Sequence, residues 1–171
     1  MRKIIFLLVI SAAAILAGCD RNSTGGDTTQ TAVQPVGPPV NLAAEIERAK
    51  TENKLLLLEF GSSDACPPCV EFQKRVFSQP EFLAYEKSNL VFVRIDFPFR
   101  TTLPVDVNTT NALLSQQFDV PGFPTFVAID HAGKEIWRMP AKGELNPTLD
   151  VSLFQPKAFI ALLDTLKAKQ N

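Results

Sequence analysis

Between residues 41 and 169 the apolar positions change period several times, and each change marks an element. Leu42, Ile46 and Ala49 recur at helical spacing behind Asn41, a residue suited to capping, so 41–53 is predicted as an amphipathic helix. Leu55-Leu56-Leu57-Leu58-Glu59-Phe60 then runs almost unbroken to Gly61, the pattern of a strand buried on both faces. A second helix should open near Pro67, since proline is tolerated in a first turn, and carry Val70, Phe72, Val76 and Phe77. Pro80 opens another short helical stretch with Phe82 and Tyr85, and Leu90 to Asp96 reads as a second strand. Phe97 to Asn108 lacks periodicity and is predicted as loop. Thr110 to Phe118 is predicted as helix, with Leu113, Leu114 and Phe118 on one face. Thr125 to Asp130 is a strand, His131 to Lys134 a hairpin turn, and Glu135 to Met139 returns antiparallel. A loop over 140–155 leads to a last helix from about Pro156 to Lys169.

The order α β α β α β β α, an early βαβ unit followed by a hairpin, implies an α/β domain over 41–171. Its central sheet should be mixed and flanked by helices on both faces. Roughly 130 residues suffice for one good core.

The N-terminal segment has a different logic. Arg2 and Lys3 precede an apolar run from Ile4 to Leu16, which is shorter than the roughly 20 residues a membrane-spanning helix needs. It reads as the core of a secretory signal over 1–18. Leu16-Ala17-Gly18-Cys19 resembles the lipobox of bacterial lipoproteins. The resemblance implies cleavage before Cys19, with fatty acyl chains on its thiol and new amine that anchor the chain to a membrane. Asp20 resembles the signal that retains such proteins in the inner membrane of many Gram-negative bacteria. Residues 19–40 are then a tether: rich in Gly, Ser, Thr, Pro and Gln, they cannot bury enough surface to offset their ordering, and as coil they reach roughly 25 Å. An ordinary secreted protein with a chance cysteine is the alternative.

Composition narrows the chemistry. With 171 residues, 46% apolar, 20% charged and a formal charge of −1, the chain suits a globular domain and excludes a disordered or collagen-like one. Loss of Arg2 and Lys3 with the signal takes the charge to about −3. Seventeen basic against eighteen acidic residues leave no field to gather nucleic acid, so no nucleic-acid partner is expected. Thirteen phenylalanines beside one tryptophan and one tyrosine point to a core use of aromatics. One histidine and three cysteines leave very few reactive groups.

Cys66-Pro67-Pro68-Cys69 stands where the first strand hands over to a helix. The cysteines are one turn apart, within reach of each other. Cys66, at the helix start, gains from unpaired amides and the macrodipole, which favour its thiolate; Cys69, a turn further in, should keep its proton. Thiol–disulfide exchange needs that asymmetry, one sulfur attacking and the other resolving. The two prolines remove amide donors and so moderate the effect. Zinc would need four ligands, and only Cys19 and His131 remain to add. A purely structural disulfide is the other option, but so short a link constrains little chain.

Together with Val120-Pro121-Gly122-Phe123-Pro124-Thr125 leading into the third strand, this motif resembles the thioredoxin-fold thiol–disulfide oxidoreductases over roughly 41–169. The resemblance implies that Pro124 is cis and packs beside the active-site disulfide, while Phe123 and Thr125 line the substrate groove. It also matches Glu59 to a buried acid that accepts the proton of the second cysteine; inside its apolar run, that carboxyl should have a raised pKa. The alternative leaves Glu59 in solvent at the strand end. Two departures stand out. Ala65 replaces the usual tryptophan before the first cysteine. The approach Gly61-Ser62-Ser63-Asp64-Ala65 is also one residue longer, with Asp64 adding a charge that opposes thiolate formation.

Phe97-Pro98-Phe99-Arg100 places two aromatics after the second strand, read as packing against the following helix, or else as a patch for a partner. Trp137 is read as core or sheet surface, and His131 as a turn residue. The leading expectation is a membrane-anchored, periplasm-facing oxidoreductase in which Cys66 attacks, Cys69 resolves and Glu59 relays the proton. No cofactor beyond the Cys66–Cys69 disulfide is needed. Its partners would be exported protein thiols and disulfides, plus a membrane redox partner, with the reductase direction favoured. Two alternatives stay open. One is a copper metallochaperone, although that pattern has three residues between the cysteines and a later histidine. The other is a folding chaperone or adaptor that uses the groove near Phe123 without redox chemistry.

Overall fold

Asn41 caps the first helix, α1 (Leu42–Thr51), its Oδ1 accepting from the Ala44 amide at 3.2 Å. In the computed structural model, residues 37–140 and 150–170 are described. The signal 1–18, Cys19, the tether as far as residue 36, and residues 141–149 lie outside them. The strand that follows, β1 (Leu55–Gly61), is buried at all seven positions, Glu59 included. It is one of the sheet's two inner strands: β2 (Leu90–Asp96) runs parallel beside it, with Leu55 opposite Leu90 and Glu59 opposite Arg94. On its other side β3 (Thr125–Ile129) runs antiparallel, with Phe60 opposite Thr125. β4 (Glu135–Met139) completes the order β2-β1-β3-β4, antiparallel to β3. The turn between them is held by Asp130, whose Oδ1 accepts from the amides of Ala132 and Lys134, and Gly133 adopts the φ of +81° it needs. The mixed sheet read from the sequence is thus present.

Both faces of the sheet are covered. Leu55, Leu57, Phe126 and Ala128 face a core supplied by α2 (Pro67–Phe72), α3 (Pro80–Asn89) and α5 (Pro156–Lys167). Leu56, Leu58, Phe60, Val127 and Ile129 face α1 and α4 (Val105–Gln117). The first core is built largely of phenylalanine: Phe72, Phe77, Phe82, Phe92, Phe126, Phe154 and Phe159 interlock with ring centroids 4.2–6.1 Å apart. Edge-to-face and offset rings add to the burial itself.

Three elements differ from the periodic reading. After Phe72 the helix continues as a π turn, Gln73–Phe77, closed by Ser78 N donating to Gln73 O at 2.9 Å. Phe72 and Phe77, five residues apart, stack there at 5.7 Å; an α-helix would turn them away from each other. Val70, expected on the core face, is 45% exposed. α4 begins at Val105, not Thr110, so the expected loop is shorter. Its buried stripe is Val107, Asn111 and Leu114, while Leu113 points to solvent. Asn111 breaks the apolar period because its Nδ2 donates to the Asp96 carbonyl at 2.9 Å. Finally, a 3₁₀ turn at Val151–Phe154, capped by Asp150, seats Leu153 and Phe154 in the core within what reads as loop.

Candidate functional site

The site grows from the C-terminal end of β1. Cys66 has extended backbone (φ −119°, ψ 97°) and caps α2, with Pro67 and Pro68 in the first turn. Proline fits there because its missing N–H would be unpaired anyway. The consequence is that, of the first three helix residues, only Cys69 offers an amide, and it donates to Cys66 Sγ at 3.2 Å. Cys66 and Cys69 are joined in a disulfide. Cys66 is 7% exposed and Cys69 5%, so both are largely covered and Cys66 slightly less so.

Behind the disulfide lies Glu59, 4% exposed, on the face of β1 that α2 covers. Burial pushes its carboxyl above the ordinary value of 4.5, while Arg94 opposes that shift by charge and hydrogen bond. Arg94 Nε donates to Glu59 Oε2 at 2.7 Å from the partner position on β2. Its guanidinium spreads over the rings of Phe77 and Phe92, 5.2 and 5.5 Å from their centroids, and the side chain stays 45% exposed. The other oxygen, Oε1, is turned towards Gly61. From where a β-carbon on Gly61 would stand, Oε1 is 3.6 Å away and Cys69 Sγ 3.3 Å. A side chain on Gly61 would crowd the inner sulfur; without one, nothing on Gly61 stands between that sulfur and the carboxylate.

Gly61 also sets the third component. The β1–β3 register pairs Phe60 with Thr125, which carries Pro124 alongside Gly61. The Phe123–Pro124 bond is cis, as is Met139–Pro140. Pro124 and Thr125 are buried, and the Thr125 hydroxyl donates to the Gly122 carbonyl at 2.8 Å. Thr125, expected at the substrate groove, is thus buried with its hydroxyl held on the backbone. Phe123, 39% exposed, does face outward, and it stacks on Phe97 at 5.1 Å.

Sequence reasoning missed Arg94 altogether, since a lone arginine near a strand end gives no signal until β1 and β2 are set in register. It also gave no sign of what Asp64 binds. The Asp64 carboxylate, expected to act on the nearby sulfur by its charge, accepts from the amides of Phe99 and Arg100 at 2.7 and 2.8 Å. Those bonds hold its pKa below the usual range. Phe99, expected to pack on the following helix, is 85% exposed. The only histidine, His131, contacts the Lys54 carbonyl at the opposite end of β1 from the cysteines, too remote to join them at a metal. Among the described residues no three His, Cys, Asp or Glu side chains are grouped to hold a metal ion. What the arrangement can perform is sulfur chemistry: an outer sulfur at a helix start, an inner one, and a buried carboxyl with a raised pKa beside it.

Over 97 residues the chain is 34% identical to the disulfide bond reductase DsbH of Chlamydia pneumoniae, covering 57% of this chain and 58% of that protein. Over 135 residues it is 29% identical to the thiol:disulfide interchange protein DsbD 2 of Pseudomonas aeruginosa, 77% of this chain but 21% of that one. The chain therefore spans less than two thirds of the length of these relatives. A solved structure of a DsbH oxidoreductase superposes with a TM-score of 0.60 at 26% identity, over 85% of this chain and 95% of the other. Residues 42–149, more than half of the chain, match the family described as the thioredoxin-like domain. By that match and by its fold, the chain belongs to the thioredoxin-like domain family and carries a cysteine pair of the redox type.

Proposed function

We propose that this protein is an extracytoplasmic thiol–disulfide oxidoreductase that reduces disulfides in exported proteins. The observation that carries the reading is the Cys66–Cys69 disulfide at the strand–helix junction, with Glu59 buried behind its inner sulfur. The name of the DsbH relative, a disulfide bond reductase, supports the direction.

In the reduced protein, the Cys66 thiolate attacks one sulfur of a client disulfide. A Cys66–client disulfide forms, and the client's other sulfur leaves as a thiolate that takes up a proton. Glu59 then accepts the Cys69 proton, directly or through one water. The Cys69 thiolate attacks Cys66 Sγ, and the client's remaining sulfur leaves as a second thiolate. Two electrons have passed to the client, and the chain holds the disulfide seen here. An external dithiol donor must restore the reduced pair. Pro124 and Phe123 meet the client chain at the rim. Attachment to a membrane rests on acylated Cys19; no helix among the described residues is long and apolar enough to cross one.

Replacing Cys69 with alanine leaves Cys66 able to attack but removes the resolving thiol. The reduced Cys69→Ala protein should accumulate mixed disulfides with extracytoplasmic proteins, visible as adducts that a reductant releases. Absence of such adducts from a folded variant overturns the reading. A redox titration against glutathione tests the direction: a pair that stays oxidised in a glutathione buffer fits a reductase, and one that is readily reduced fits a disulfide donor.

A further inference from the structure

The segment approaching Cys66 and the segment leaving β2 are laced together by a dense set of hydrogen bonds. Phe97 N donates to the Gly61 carbonyl at 2.8 Å. Asp96 accepts from the Ser63 amide and hydroxyl at 2.8 and 2.7 Å. Asp64 accepts from the amides of Phe99 and Arg100, and from the Ser62 hydroxyl at 3.3 Å. Most of these bonds end on a carboxylate, the stronger class of hydrogen bond. The extra residue of the 61–65 stretch is thereby converted into a fixed bracket.

What the bracket fixes is aromatic: Phe97, half-buried, and Phe99, uncovered. Phe97 stacks on Phe123, which directly precedes Pro124, and Phe99 stands 85% exposed two residues on. Phe97, Pro98 and Leu103, with Thr101, Thr102 and Asn108, line a cleft of about 200 Å³, the size of one large side chain. Apart from Phe123, the described phenylalanines outside this bracket lie in the two cores, and Phe97 itself rests against the second of them. Phe99 has no core to serve, and two backbone amides are spent on a carboxylate to hold it in place. Phe123 directly precedes Pro124, which the β1–β3 register sets beside Gly61, the residue next to Cys69 Sγ.

We propose that Asp64 is a positioning residue that determines specificity in the exchange reaction. By holding the Phe99 and Arg100 amides, it fixes residues 97–100 as an aromatic ledge beside the cysteine pair. The occupant is an extended client polypeptide that lays an aromatic or branched aliphatic side chain, close in sequence to its reacting cysteine, on Phe97 and Phe99. The threonines and Asn108 of the cleft supply hydrogen bonds to its backbone. This deepens the exchange reading and rests on it.

The test uses the reduced full chain and two disulfide-bridged peptides that differ only beside the cysteine, Phe in one and Gly in the other. Wild type should favour the Phe peptide in kcat/KM by about tenfold. Asp64→Ala should reduce that preference to about twofold or less, mainly through a higher KM rather than a lower kcat. Phe99→Ala, at a position too exposed to disturb folding, should do the same, and the double variant should lose little more. Equal kcat/KM for the two peptides in wild type overturns the ledge, as does a preference untouched by Phe99→Ala. So does an Asp64→Ala defect that falls equally on both peptides. Wild type that turns over the Gly peptide but shows no preference sinks the ledge alone. Wild type that exchanges with neither peptide nor a small aromatic disulfide sinks the exchange reading and the ledge with it.

Discussion

Glu59 and Arg94 divide one ion pair unequally. The carboxylate side is buried and the guanidinium is nearly half exposed, so the pair keeps one charge solvated while desolvating the other. Burial outweighs the attraction, and the acid titrates above its ordinary value. The sign for stability follows from proton binding. Above pH 4.5 the unfolded chain releases a proton that the folded oxidised protein still holds. Stability therefore falls as pH rises through the raised pKa, and the contribution is fully present only below the unfolded value. Glu59→Gln cannot release that proton. Its stability relative to wild type should stay level below about pH 4.5 and grow above it, read from urea unfolding of the oxidised proteins at a series of pH values. A difference that does not change with pH contradicts the assignment. In the proposed reaction the same variant should slow resolution of the mixed disulfide by roughly 10²-fold, with adduct lifetime as the readout. Arg94 was beyond the reach of sequence because its partner is 35 residues away and only strand register brings the two together.

At the scale of elements, most boundaries were legible because the period of buried positions stayed apolar. β1, β2 and the β3–β4 hairpin declare themselves, as does Pro67 at the start of α2. Failures occurred where a polar residue took a buried place or the helix changed pitch. Asn111 does the first in α4, and the π turn does the second after Phe72. That turn matters to the site, because Phe72 lies on the helix that opens with the cysteine pair. Phe72 is fully buried and meets the rings of Phe77, Phe126, Phe154 and Phe159. Phe72→Ala should cost about 3–5 kcal/mol in chemical denaturation. A loss below about 1 kcal/mol would mean that the surrounding rings collapse into the space.

For the whole molecule, the reading joins a site to an address. Cys19→Ala removes the proposed acylation point and leaves every residue of 41–171 unchanged. The variant should move from the membrane to the soluble fraction while the oxidised domain unfolds at the same denaturant midpoint; retention in the membrane would place the anchor elsewhere. The sequence alone carried the element order, the Cys-Pro-Pro-Cys pair at a strand–helix junction and the Pro124 segment, since periodicity and turn chemistry are local properties. Tertiary structure decided which neighbours those residues keep. It buried Glu59 against Arg94, sealed the Thr125 hydroxyl on Gly122, set Asp64 on two backbone amides, and left Phe99 outside. The reason is physical: a side chain's solvation and partners depend on strands and loops that are distant in sequence. Those contacts set whether a carboxylate behaves as a base, a brace or a solvated charge.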